Sequence, residues 1–169
     1  MKKLSATAEP ALYRALVNIP AGGVELEGVL AIPGRAKGVV LFAHGSGSSR
    51  HSPRNNFVAE KLHDAGVSTL LMDLLTRQED MIYENRFDID RLTSRLERAT
   101  LWLIEQPPVQ SVAIGYFGAS TGAAAVLSTA AHLGTGNRRG GVPRRPARSR
   151  DGGAPTSIGA DPLYRWRAR

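Results

Sequence analysis

The run Gly118-Ala119-Ser120-Thr121-Gly122 sets a serine midway between two glycines at a spacing that suits nucleophilic chemistry. An apolar run precedes it and a small-residue run, Thr121 to Leu133, follows, so the serine stands on a strand-to-helix turn. Gly118 and Gly122 let the flanking elements approach with no Cβ between them, and the turn projects the Ser120 hydroxyl outward. A helix starting at Thr121 brings free N–H groups and the positive end of its dipole beside that hydroxyl, where a developing oxyanion would need them. A bare pattern of this kind is also an ordinary Gly-rich turn, and context lifts it above that. His44-Gly45-Ser46-Gly47-Ser48-Ser49 follows directly on the apolar segment Val39 to Ala43. From there it can present a second N–H to the same oxygen, with Ser46 the expected donor and Gly45 beside it. As a phosphate loop this run fails, because no G-K-[ST] is present and Arg50 stands where a dinucleotide fingerprint needs its last glycine.

Positioning these residues takes an alternation of strands and helices. Val39 to Ala43 is unbroken in its apolarity, as in a central strand covered on both faces. Ala15 to Ile19 and Val24 to Ile32, split by Pro20-Ala21-Gly22-Gly23, predict an antiparallel hairpin. Phe57 to Ala65 predicts a helix stopped by Gly66, and Val67 to Met72 the next buried strand, ending at Asp73. A charge-rich loop follows. Ile89, Leu92, Leu96, Ala99 and Leu103 then form one stripe of a helix over Asp88 to Gln106, ended by Pro107-Pro108. Ser111 to Phe117 predicts a third buried strand leading into the motif. The expected fold class is α/β, a mostly parallel sheet flanked by helices.

The 169 residues, 42% apolar and 22% charged, have the composition of one globular domain. With no cysteine, disulfides, thiolate-bound metals and a cysteine nucleophile are excluded, and a reducing cytoplasm is the expected location. Four scattered histidines predict no metal site, and no cofactor is expected. No stretch approaches the roughly 20 apolar residues of a membrane span, so no membrane association is expected. The net charge of +7 is concentrated: residues 1–133 hold 13 basic and 13 acidic side chains, whereas residues 134–169 hold nine arginines against Asp151 and Asp161. That tail also has 11 Gly or Pro in 36 residues and is expected to be disordered. A function of another class follows from it, a non-catalytic, basic-tailed protein binding anions or nucleic acid. Nucleic acid is the disfavoured partner, because only Tyr164 and Trp166 could stack on bases.

Gly38 to Asn55, GVVLFAHGSGSSRHSPRN, together with Gly115 to Ala125, GYFGASTGAAA, resembles the dienelactone hydrolase-like branch of the α/β-hydrolase superfamily. The resemblance implies an incomplete α/β-hydrolase domain over 14–133, an N-terminal extension over 1–13 and a non-family tail over 134–169. It implies Ser120 as nucleophile, with the Thr121 N–H and the His44-Gly45-Ser46 loop as oxyanion hole. The implied partner is a small ester-like substrate, and relatives occur fused to a phosphoribosyltransferase domain. Dienelactone hydrolase carries cysteine at the elbow, so serine here favours a general ester. In this superfamily the triad runs serine, acid, histidine along the chain. After Ser120 the only histidine is His132, about three turns along the same helix, and Asp151 and Asp161 lie in the Gly/Arg-rich tail, so the chain is expected to lack both acid and base. Of the earlier candidates, His44 is expected to shape its loop, His51 to sit in a loop, His63 on a helix face, and Asp73 to be a solvated strand-end carboxylate. Read one base out of frame, the tail's codons admit the family-like string Ala-Pro-Thr-Leu-Phe-Ile-Val-Gly-Gly. A frameshift near Gly134 and an impaired hydrolase are the resulting expectations.

Overall fold

The computed structural model describes residues 12–34 and 36–134, so the expected disordered tail and the out-of-frame string lie outside the described residues. Strands β1 (Tyr13–Pro20) and β2 (Glu25–Ile32) pair antiparallel from Tyr13 opposite Ile32 to Pro20 opposite Glu25, the predicted hairpin. Gly22 and Gly23 in its turn have φ of 68° and 88°, which the absence of a Cβ permits. Strand β3 (Gly38–Ala43) lies parallel to both β4 (Ser68–Met72) and β5 (Ala113–Gly118). The sheet order is β1-β2-β4-β3-β5, with β2 antiparallel to β4. The order β4-β3-β5 puts the segments that follow all three parallel strands at one end of the sheet.

Two apolar layers cover the sheet. On one face Leu41, Leu70, Met72 and Leu30 pack with Leu92, Leu96, Ala99 and Leu103 of α3 (Ile89–Ile104) and Ala125 of α4 (Thr121–Gly134). These α3 residues are the predicted stripe, and Asp88 caps it by accepting the Arg91 N–H at 3.0 Å. On the other face Phe42 and Leu71 meet Ala59, Val58 and Leu62 of α1 (Pro53–Asp64), with Phe117 stacked on Phe42 at 4.9 Å between centroids.

The structure corrects three of the expected elements. Helix α1 begins at Pro53 rather than Phe57, because Ser52 is an N-cap and proline at the first position needs no N–H partner. Its predicted stop holds: Gly66, at φ 78°, donates to His63 O, and Val67 N–H returns to Leu62 O at 2.8 Å. The charge-rich loop after β4 is instead the short helix α2 (Arg77–Asp80) followed by a 3₁₀ segment, Tyr83–Phe87. Polar bonds hold it: a reciprocal capping box between Thr76 and Glu79, and the pairs Arg95 to Glu79 and Arg86 to Asp80. Burial acts to raise the Glu79 carboxyl, but the Thr76 N–H and the Arg95 charge outweigh it and keep the group below its usual range. Finally, β5 starts two residues later than predicted and is half-exposed, because it forms the edge of the described sheet.

Candidate active site

Ser120 sits between β5 and α4 with φ of 53°, the only non-glycine positive φ among the described residues. An L-residue adopts that conformation only when its surroundings impose it. Here they do so by contact. The Ala119 N–H donates to Ala43 O at the end of β3, at 3.2 Å, and Ala119 O accepts from the Gly122 N–H at 3.0 Å. A Cβ added at Gly122 would lie 2.1 Å from Ala43 O and 2.5 Å from His44 O, so the first turn of α4 rests directly on the β3 backbone. One added at Gly118 would lie 2.8 Å from the Ala123 Cα, and one at Gly45 3.1 Å from the Ser120 Cβ. Gly118, Gly122 and Gly45 are thus points of backbone approach, and the turn exposes Ser120.

The structure brings Ser120, Thr121, Gly45 and Ser46 together. In the first turn of α4 the Gly122 N–H turns back to Ala119 O and the Ala123 and Ala124 N–H groups to Ser120 O. The Thr121 N–H is left without a protein acceptor among the described residues. The Ser46 N–H is engaged: it donates to Thr121 Oγ1 at 3.1 Å.

His44 leads into this loop. Its Nε2 accepts the Leu74 N–H at 3.3 Å and its Nδ1 stands 3.0 Å from Gly45 O, a pattern satisfied by the neutral Nδ1–H form. Asp73 Oδ1 is 3.7 Å from the same Nε2, too long for a hydrogen bond. Both imidazole nitrogens are therefore committed to holding the loop. His51 lies in the turn before α1. His63, on α1, bonds Thr69 Oγ1 at 2.7 Å on the opposite face of the sheet. Burial, with the Arg14 charge second, lowers its pKa below the usual imidazole range. His132 pairs with Glu97 of α3 at 2.6 Å on the surface.

Asp73 departs from its expected solvated state. Its Oδ1 accepts the Arg50 N–H at 2.7 Å and its Oδ2 the Arg50 guanidinium, which also pairs with Glu27 of β2. Arg50 O in turn accepts from Asn56 Nδ2 at 3.0 Å. Through its guanidinium, its N–H and its carbonyl, Arg50 thereby pins the loop from His44 to Ser52 to β2, to the residue that follows β4 and to α1. The sequence carried no signal for this, since Glu27, Arg50 and Asp73 are each 23 residues from the next and only the sheet order brings them together. A cavity of about 220 Å³ lies beside this network, lined among others by Ser48, Ser49, His51, Asp73 and Arg77. Among the described residues no group of three or more His, Asp or Glu side chains is placed to hold a metal ion, and no helix is long and apolar enough to cross a membrane.

Comparison with known proteins gives the following. No family model matches the chain. A Mycobacterium tuberculosis protein, provisionally named a phosphoribosyl transferase, is 52% identical over 128 residues, 76% of this chain and 29% of that protein. Among solved structures, dienelactone hydrolase from Anabaena variabilis is 52% identical with a TM-score of 0.69, over 73% of this chain and 59% of that one. An esterase from Pyrococcus furiosus shares the fold at 23% identity and a TM-score of 0.58, over 70% of this chain and 44% of its own. The chain thus spans less than a third of the curated relatives it matches and about three fifths of the Anabaena enzyme.

Proposed function

Because the described residues form part of an α/β-hydrolase fold of the dienelactone hydrolase-like type, we propose that the chain carries the nucleophile half of a serine hydrolase for esters or related acyl compounds. The observation that carries this reading is Ser120 at φ 53°, held by a helix resting on the β3 backbone and abutted by the Gly45 loop. In the proposed reaction Ser120 Oγ attacks the acyl carbon. The Thr121 N–H and the loop around Gly45 and Ser46 receive the oxygen that becomes negative. The hydroxyl proton must leave to a base. His44 has both nitrogens engaged in its loop and His132 faces Glu97, so neither serves. Serine at its own pKa is a weak nucleophile, and in this proposal the chain is an impaired hydrolase.

In this proposal residues 14–133 are the hydrolase portion, and the phosphoribosyl transferase name of the mycobacterial relatives belongs to parts of them that this chain does not match. The test has two arms. With fluorophosphonates Ser120 should label slowly, and ester turnover should not exceed the roughly 10³ to 10⁴ over water that an oxyanion hole without a base sustains. Fast labelling that Ser120→Ala abolishes would show a base that this reading lacks. Restoring the alternative frame from codon 134 should supply an acid and a histidine and bring activity back. A repaired protein that carries both yet hydrolyses no ester, amide or lactone in a Ser120-dependent way refutes the hydrolase assignment.

A further inference from the structure

One bond spans 75 residues of sequence to join the loop after β3 to the first turn of α4, the Ser46 N–H to Thr121 Oγ1 at 3.1 Å. The N–H spent in it is the loop donor assigned above to the oxyanion. The hydroxyl that takes it belongs to the residue whose own N–H is the other donor. We infer that the Thr121 hydroxyl occupies the acyl-oxygen position of the oxyanion hole, as a built-in competitor that the reacting oxygen must displace. This rests on Ser120 being the nucleophile.

Three features of the site support it. The space on the far side of the bond, between Gly45, Ser46, Thr121 and the side chains of Leu74, Arg86 and Leu92, is about 10 Å³, room for about one water. The neighbouring N–H groups cannot substitute, because those of Gly122 and Ala123 are bonded to Ala119 O and Ser120 O at 3.0 and 2.9 Å. And threonine in a helix populates two χ1 rotamers, so the hydroxyl can swing aside with no other element moving.

The consequence is selective. A neutral ester carbonyl offers the Ser46 N–H a bond no better than the hydroxyl already provides, and it gains little by displacing it. The anionic oxygen of the tetrahedral intermediate, or a phosphoryl oxygen, makes a charge-assisted bond about twice as strong and wins. The Thr121 side chain therefore withholds one donor from the ground state and yields it only as charge develops, at a cost to the reaction equal to the bond displaced.

The test uses the chain as it is, ¹⁵N-labelled. Solvent exchange of the Ser46 amide should be slow in wild type and several-fold faster in Thr121→Val, which keeps shape and loses the acceptor. Thr121→Ser, which keeps the hydroxyl, should restore slow exchange. Fluorophosphonate labelling of Ser120, driven at high reagent concentration, should run about 2- to 10-fold faster in Thr121→Val, the factor one net neutral hydrogen bond represents. An unchanged Ser46 exchange rate in Thr121→Val overturns the contact. Faster exchange with unchanged or slower labelling overturns the competition. Label that persists in Ser120→Ala overturns the hydrolase reading itself, and the competition with it.

Discussion

Gly122→Ala is the sharpest perturbation this fold offers. The new Cβ would sit 2.1 Å from Ala43 O, and even the shortest contacts real Cβ atoms make lie near 3.0 Å, so α4 must lift from β3 by at least 0.9 Å. The atom struck is the acceptor of the Ala119 N–H, so the bond that sets the turn is the first thing stretched. Overpacking of this kind costs about 1 to 3 kcal/mol, and a lost backbone hydrogen bond about 1 more. Alanine's helix propensity returns roughly 1 kcal/mol. The net is about 2 kcal/mol, which corresponds to amide exchange about 30-fold faster through local opening. Hydrogen exchange read by mass spectrometry or NMR gives this without requiring global two-state unfolding. Ala119 should be the amide most accelerated, with those of the first turn of α4 next. Gly118→Ala, at 2.8 Å from the Ala123 Cα, should show the same pattern more weakly. A Gly122→Ala protein whose Ala119 amide exchanges within threefold of wild type would refute the claim that backbone contact between β3 and α4 holds Ser120 in place.

Arg50→Ala should leave Asp73, 20% exposed, with no cation; an unpaired buried carboxylate costs about 3 to 5 kcal/mol, and partial exposure reduces that to roughly 2, read as faster exchange at the Ser48 and Ser52 amides. Glu27→Ala, removing a partner 53% exposed, should cost less than about 1 kcal/mol, and equal effects of the two would refute Arg50 as the hub. His63 has its pKa lowered in the fold, so the unfolded chain takes its proton first as pH falls through about 6.5. Protection of the β4 amides, corrected for intrinsic exchange, should be full above that pH and decline as pH falls toward the folded value; His63→Gln should flatten this decline, and an unchanged slope would count against it. Glu79, also lowered, adds a second loss that begins as pH drops through about 4.3. Strand β5, Ala113–Gly118, the edge of the sheet among the described residues, carries no charge and no proline and should drive self-association, which Ala113→Lys should reduce in light scattering; a monomeric wild type at high concentration would contradict this.

What could be read in advance was whatever a single stretch of chain encodes. The hairpin follows from one turn between two apolar runs, α3 from one stripe and one cap, and the Ser120 turn from strand, Gly-x-Ser-x-Gly and helix in series. Misreadings came where the deciding partner is remote or the signal is polar. Helix α2 buries no residue and is held by Thr76, Glu79 and Arg95, so apolar periodicity passes over it. Asp73 looks solvated beside its sequence neighbours because Arg50 reaches it only across the sheet. Strand β5 reads as buried because its composition is that of a central strand, while its place at the edge depends on what pairs beside it. At the candidate site the residue types were legible, but the Ser46 N–H already being engaged by Thr121 was not, since that is a matter of one rotamer.

The order β1-β2-β4-β3-β5 also bears on how such a chain is made. β2 and β3 are consecutive in sequence, and only residues 33–37 link them, yet β4 lies between them. The link must hold the two strands about 10 Å apart, twice the interstrand spacing, until residues 68–72 arrive. At about 5 to 20 residues per second, that wait on the ribosome lasts seconds, whereas hairpins close in microseconds. β2 and β3 run in opposite directions and could zip together early, closing the slot that β4 must enter. Pro33, which has no N–H to donate, stands at the mouth of that slot and weakens the wrong pairing where it would begin.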